Sequence, residues 1–308
     1  MASRWVKMVQ WGGGLVIVVF VSRHLIRNWA EVANADLAWN IDISRLLLGL
    51  LLVLAGFWLL SGAWRSMVGS WGYHLQWWTA TRIWLLSSMG KYIPGKIWAV
   101  AGMAVMAKKE GVPPWASTGS AIILQILALS TGALVVAATG SGMLDGAGDP
   151  RLQGPVFLLV GGGSLLLVLL ALWPPFLTRV TQLLTQQPMH QTPSNRVIGV
   201  ALGANVIAWL AYGTAFWLFA YGTLPGVTLS LPQAIAASTA AYVVGVLTPF
   251  APGGLGVREG ILVVALRTQT GLGEALALAA VARIGMTVAE VGAAAPFLLR
   301  AGRHPTDA

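Results

Sequence analysis

The 308 residues contain no cysteine, which excludes disulfides, thiolate nucleophiles and cysteine metal sites and leaves the redox compartment unmarked. Charge is scarce, at 9% Asp, Glu, Lys and Arg together, against about 25% in soluble domains. Histidine is limited to His24, His74, His190 and His304, which lack metal-ligand spacing, so no metal is expected. No nucleotide loop is present either: GGGSLL lies in an apolar run and lacks the Lys-Ser or Lys-Thr that a phosphate-binding loop requires. No cofactor and no catalytic residues are therefore expected. Nor is there a polar stretch of domain length. The longest, near 23–45 and 176–196, read as loops of about twenty residues.

What fills the chain instead is apolar sequence, 56% of residues, with a mean hydropathy of +0.74. Runs such as LLLGLLLVLAGFWLL (46–60) and VFLLVGGGSLLLVLLALW (156–173) approach the length that a hydrocarbon core of ~30 Å demands of a spanning helix. The expected class is an all-α integral membrane protein, one polytopic domain over 1–308. Spans are expected near 9–26, 45–64, 115–139, 155–175, 197–221 and 275–299, about six in all. The basic, apolar N-terminus ends in SRHL rather than a small-residue cleavage site and reads as a retained anchor. The +9 net charge sits at helix ends and loops, as membrane topology requires, so nucleic acid is not expected as a partner.

Two apolar regions resist this pattern. Region 77–107 is interrupted by Tyr92-Ile93-Pro94-Gly95, and region 233–267 by PFAPGGLGVREG, residues 249–260. Proline removes an amide donor and glycine tolerates the backbone a break needs, so each region reads as two half-helices, a re-entrant hairpin. An offset of 158 residues superposes Pro94, Gly95, Gly102, Val105 and Ala107 on Pro252, Gly253, Gly260, Val263 and Ala265. The candidate units, about 45–140 and 197–300, then form an inverted repeat, a plan common in transporters.

Basic residues give the orientation. If both hairpins return to their side of entry, Arg4, Lys7, Arg65, Lys108, Lys109, Arg179, Arg196, Arg300 and Arg303 share one face, and Arg23, Arg27, Arg45, Arg151 and Arg267 the other. The richer face predicts cytoplasmic termini, with the chain in the plasma (inner) membrane.

Arg82, Lys91, Lys96, Arg258, Glu259, Arg283 and Glu290 fall within the membrane on this plan. Charges there are costly and face a polar cavity or one another. Arg283 and Glu290 share a face of the last helix. Lys91, Gly95 and Lys96 surround the first break, and Gly253, Gly254, Arg258 and Glu259 the second. Half-helix tips with bare amides and nearby cations suit an anion, a phosphate above all. The competing readings are a structural ion-pair network among Arg258, Glu259, Arg283 and Glu290, and kinked helices whose Lys91 and Lys96 snorkel to an interface. Gln125, Ser130, Thr131 and Asn205 read as helix-packing groups rather than binding groups.

GKYIPGKIW (90–98) and PGGLGVREG (252–260) resemble the flippase-like membrane family that includes the transmembrane domain of lysylphosphatidylglycerol synthases. The resemblance spans nearly the whole chain and is most specific in the second motif, where it covers Pro252, Gly253, Gly254, Gly256, Arg258 and Glu259. It implies an all-helical domain that moves or handles lipids of the cell envelope. The synthases carry a soluble aminoacyl-transfer domain as well; with eight residues after Arg300, synthesis of lysylphosphatidylglycerol is not expected here. The leading expectation is a lipid flippase that takes an anionic, phosphate-bearing headgroup between the hairpins, held by Lys91, Lys96 and Arg258, with Glu259, Arg283 and Glu290 along the path. The alternatives are a proton-coupled transporter of a small anion using Glu259 or Glu290, and a non-transporting partner of an envelope glycosyltransferase.

Overall fold

The structure, a computed structural model, describes residues 37, 39–93, 97–140, 150–185, 193–248 and 251–301. The described residues are mostly helical, with no strand among them. In chain order the helices are α1 (Ile43–Gly69), α2 (Trp77–Ser88), α3 (Ile97–Lys109), α4 (Pro114–Thr139), α5 (Pro150–Ala171), α6 (Pro174–Thr185), α7 (Asn195–Tyr221), α8 (Leu231–Leu247), α9 (Val257–Thr270) and α10 (Leu272–Ala301). Two 3-10 turns, Met89–Tyr92 and Pro252–Gly254, stand after α2 and before α9.

Helix starts follow the local chemistry. Asp42 caps α1 by accepting from the Arg45 amide, Ser194 caps α7, and Ser230 with Gln233 forms a reciprocal capping box on α8. Four helices have the length and apolarity to cross a membrane: Ile43–Gly69, Pro114–Thr139, Asn195–Tyr221 and Leu272–Leu299. A fifth candidate is the pair Leu158–Ala171 and Pro174–Val180, bent by 98°. These correspond to five of the six expected spans. The sixth, 9–26, lies outside the described residues.

The stretch 176–196, expected as a loop, instead begins with most of α6. Its polar composition conceals a two-faced helix, with Leu177 fully buried and Arg179 exposed. The 98° turn lays this helix across α5 rather than along it.

Both interrupted regions are broken as expected. Helix α2 packs against α3, and α8 against α9, so each break reverses the chain. Their arms, 12, 13, 17 and 14 residues long, rise only about 18–25 Å, short of a ~30 Å crossing. Pro94, Gly95 and Lys96 lie outside the described residues, as do 249 and 250. In the second break Gly253, Gly254 and Gly256 all have positive φ, at 58°, 71° and 81°. Only glycine adopts these values without strain, which explains the motif's glycines.

Two apolar cores flank the centre. One joins α1, α2, α3, α4 and α6 with the start of α7 through Trp64, Met67, Ile83, Ile123, Leu177 and Ile198. The other joins the end of α7 to α8, α9 and the first half of α10. Close packing of α7 on α8 depends on Gly213, where a Cβ would stand 2.5 Å from Ile235 Cα. Backbone cannot yield as a side chain can. Gly213→Ala is therefore expected to destabilise the fold by roughly 1–3 kcal/mol, read as a lowered unfolding midpoint in detergent; an unchanged midpoint would show that the two helices separate freely.

Candidate functional site

The two breaks meet. The turn Met89–Tyr92 packs against Pro252–Gly254, and a Cβ on Gly253 would lie 3.0 Å from Tyr92 Cδ1. Glycine at 253 thus serves two ends, its left-handed backbone and the seat of the Tyr92 ring.

Helix α10 grips both breaks. From Glu290, one carboxylate oxygen pairs with Lys91 Nζ at 2.5 Å and the other accepts from the Tyr92 hydroxyl at 2.5 Å. Two turns earlier Arg283 donates from Nη1 to the Gly253 carbonyl at 3.3 Å, and its Nε stands 3.6 Å from Glu259. The Arg283 guanidinium also lies 5.8 Å from the centre of the Tyr92 ring. Arg283 and Glu290 therefore do not pair along their own helix face; Glu290 bonds the first break, and Arg283 bonds the second while facing the Tyr92 ring of the first.

Glu259 has a local task. Its second oxygen accepts from the Gly256 amide at 2.6 Å and closes the first turn of α9. With Gly254 N bonded to Ala251 O and Leu255 N to Pro252 O, the second tip has fewer bare amides than its sequence suggests. The anion-attracting element of this break is a side chain instead. Arg258 stacks its guanidinium 4.0 Å from the centre of the Tyr242 ring, and its Nε has no hydrogen-bond partner among the described residues. Gly245 and Gly254 give it room: a Cβ on either would press into its stem, 2.7 Å and 3.0 Å from Cγ.

A cavity of about 460 Å³ opens between the hairpins, within the range of about 300–1,000 Å³ usual for ligand pockets. Most of its wall is apolar and aromatic, from Phe57, Leu60, Trp84, Met103, Ile122, Leu124 and Trp209. Its charged end comprises Lys91, Arg258 and Glu290, with the backbone of Gly253 and Gly254. Of the expected site residues, these five line this cavity. Glu259 and Arg283 do not; together with Arg258 they line a smaller neighbouring one. Gly95 and Lys96 lie outside the described residues.

Arg82 departs from expectation. It bonds Glu110 at 2.7 Å, beyond the end of α3, with 43% of its side chain exposed, and lines neither cavity. The short arms of the first hairpin bring it to the loop side of the fold. Sequence reasoning also missed members of the site. Tyr212 and Tyr242 line both cavities, Tyr92 bonds Glu290 beside them, and Gln125, taken as a packing group, is exposed and lines the large cavity. A tyrosine inside a Pro-Gly break was the one signal available. Thr131 behaves as a packing group, taking the Trp209 indole N–H at 3.2 Å, whereas Asn205 bonds its own helix at Ala201 O and also lines the large cavity.

Long apolar helices, two hairpins that reverse within the fold and a cavity with a charged end define a multi-pass, all-helical membrane protein. The family model described as "Lysylphosphatidylglycerol synthase TM region" matches residues 9–289, and the chain belongs to that family. No curated protein matches the chain.

Proposed function

We propose that the protein is a lipid translocase rather than an enzyme, and that it accepts a phosphate-bearing headgroup, from a phospholipid or a polyprenyl carrier, at the charged end of the large cavity. The observation that carries this reading is the junction of the two breaks. It gathers Lys91, Arg258 and two glycine backbones, with Glu290, at one end of a chamber whose wall is mostly apolar, a match to an anionic head joined to an apolar tail. Arg258 supplies the primary contact because its Nε has no competing partner among the described residues. Lys91 joins when the phosphate displaces Glu290, whose release frees the first break to move. Membership of a family named for a lipid-synthase membrane region agrees with this assignment. The two hairpins act as an inverted pair in the plasma (inner) membrane, with cytoplasmic termini.

The test is lipid retention. The detergent-purified protein is incubated with equal amounts of phosphatidylglycerol, undecaprenyl phosphate and diacylglycerol, and bound lipid is counted by native mass spectrometry. At least one phosphate-headed lipid is expected to exceed diacylglycerol by roughly tenfold or more, the worth of about one charge-assisted contact. Equal retention of diacylglycerol would overturn the proposal.

A further inference from the structure

A second cavity, of about 80 Å³, lies among α7, α8, α9 and α10 and shares Tyr212, Tyr242 and Arg258 with the large one. Two of its lining residues, Thr239 and Tyr212, have buried hydroxyl oxygens with no hydrogen-bond partner among the described residues. Thr239 is only 1% exposed. Such groups are rare in folded proteins unless something bonds them.

The electrostatics narrow the occupant. Arg258, Arg283 and Glu259 line the cavity. Both oxygens of Glu259 are engaged, one by the Gly256 amide and one by Arg283 Nε. Among the described residues, one cationic side chain, Arg258, remains in excess beside two hydroxyls without hydrogen-bond partners. A cation would add to the excess charge. Water alone would satisfy the hydroxyls, for which there is room for roughly five to eight molecules, but would leave the charge uncompensated. A diacyl or polyprenyl lipid is far too large.

We propose that this cavity is a binding site for a small monovalent anion of the halide type, held by the Thr239 and Tyr212 hydroxyls and neutralised by Arg258. Placed behind Arg258, the anion holds the guanidinium against Tyr242 while the headgroup site is empty. The site's existence does not depend on the lipid reading, because Thr239 lines the small cavity and not the large one.

Chloride is the probe. At constant ionic strength, replacing gluconate by chloride is expected to raise the melting temperature of the detergent-purified protein by roughly 2 °C at ten times the dissociation constant. Thr239→Val should abolish that rise, and Thr239→Ser, which keeps the hydroxyl, should retain it. Crystals soaked in bromide should show an anomalous peak within hydrogen-bond distance of Thr239 Oγ1. Equal melting temperatures in the two salts, a chloride effect that survives in Thr239→Val, or water as the sole occupant of soaked crystals would each overturn the proposal. Lipid retention by Thr239→Val is measured in parallel, so that failure of the anion site and failure of the headgroup site give different results.

Discussion

Arg258→Ala is expected to lower headgroup translocation in reconstituted vesicles by roughly 10- to 100-fold while the protein still inserts and folds. Among the described residues Arg258 forms no ion pair, and its guanidinium is held by stacking on Tyr242. Its removal therefore takes away a cation without stranding a carboxylate. The structural cost is the stacking contact, about 0.5–2 kcal/mol, whereas a phosphate loses a charge-assisted hydrogen bond. Arg258→Lys should recover only part of the activity, since a compact ammonium neither stacks so broadly nor binds phosphate with two parallel donors. Transport at the parental rate in Arg258→Ala vesicles, with normal insertion, would remove Arg258 from the site.

The largest effect on stability is expected at Glu290. With 6% of its side chain exposed it holds both Lys91 and the Tyr92 hydroxyl. Glu290→Ala leaves an ammonium and a phenol without their acceptor at the centre of the fold, at a cost of about 3–5 kcal/mol for a fully buried pair. Because Lys91 is 25% exposed, solvent should reduce the loss to about 2–3 kcal/mol. Lys91→Met combined with Glu290→Leu should regain most of it, since the burial penalty of both ions disappears. The check is a double-mutant cycle on chemical unfolding in detergent. A coupling energy near zero would mean that the ion pair contributes nothing, and the first break would then be held by packing and by the Tyr92–Glu290 hydrogen bond.

The parts of this architecture that could be read from the sequence are those set by local chemistry. Pro94-Gly95 and the glycine-rich turn at 252–256 announce two interruptions because proline and left-handed glycine act within a few residues. Runs such as 46–60 announce spans because length and apolarity are local properties. Pairings made by the tertiary fold were not legible. The sequence offered Arg283 and Glu290 as neighbours on one helix face; in space Glu290 reaches Lys91, far away in the chain. Arg82 read as an intramembrane charge because its helix is apolar, and no local signal told that Glu110 would meet it. Nothing in the apolar sequence around Thr239 and Tyr242 marks them out. What makes them part of a site is the cavity beside them, which exists only once α7, α8, α9 and α10 have packed.

Helix α10 carries Arg283 and Glu290 on one rigid rod, and through them it fastens two chain interruptions that are remote in sequence. Sliding or turning that rod slackens both fastenings in a single stroke. If the proposed translocase function holds, the junction would work as a coincidence latch: an occupant that engages only one hairpin would leave the other hook closed, and selectivity for a complete headgroup would be a matter of mechanics as well as of affinity.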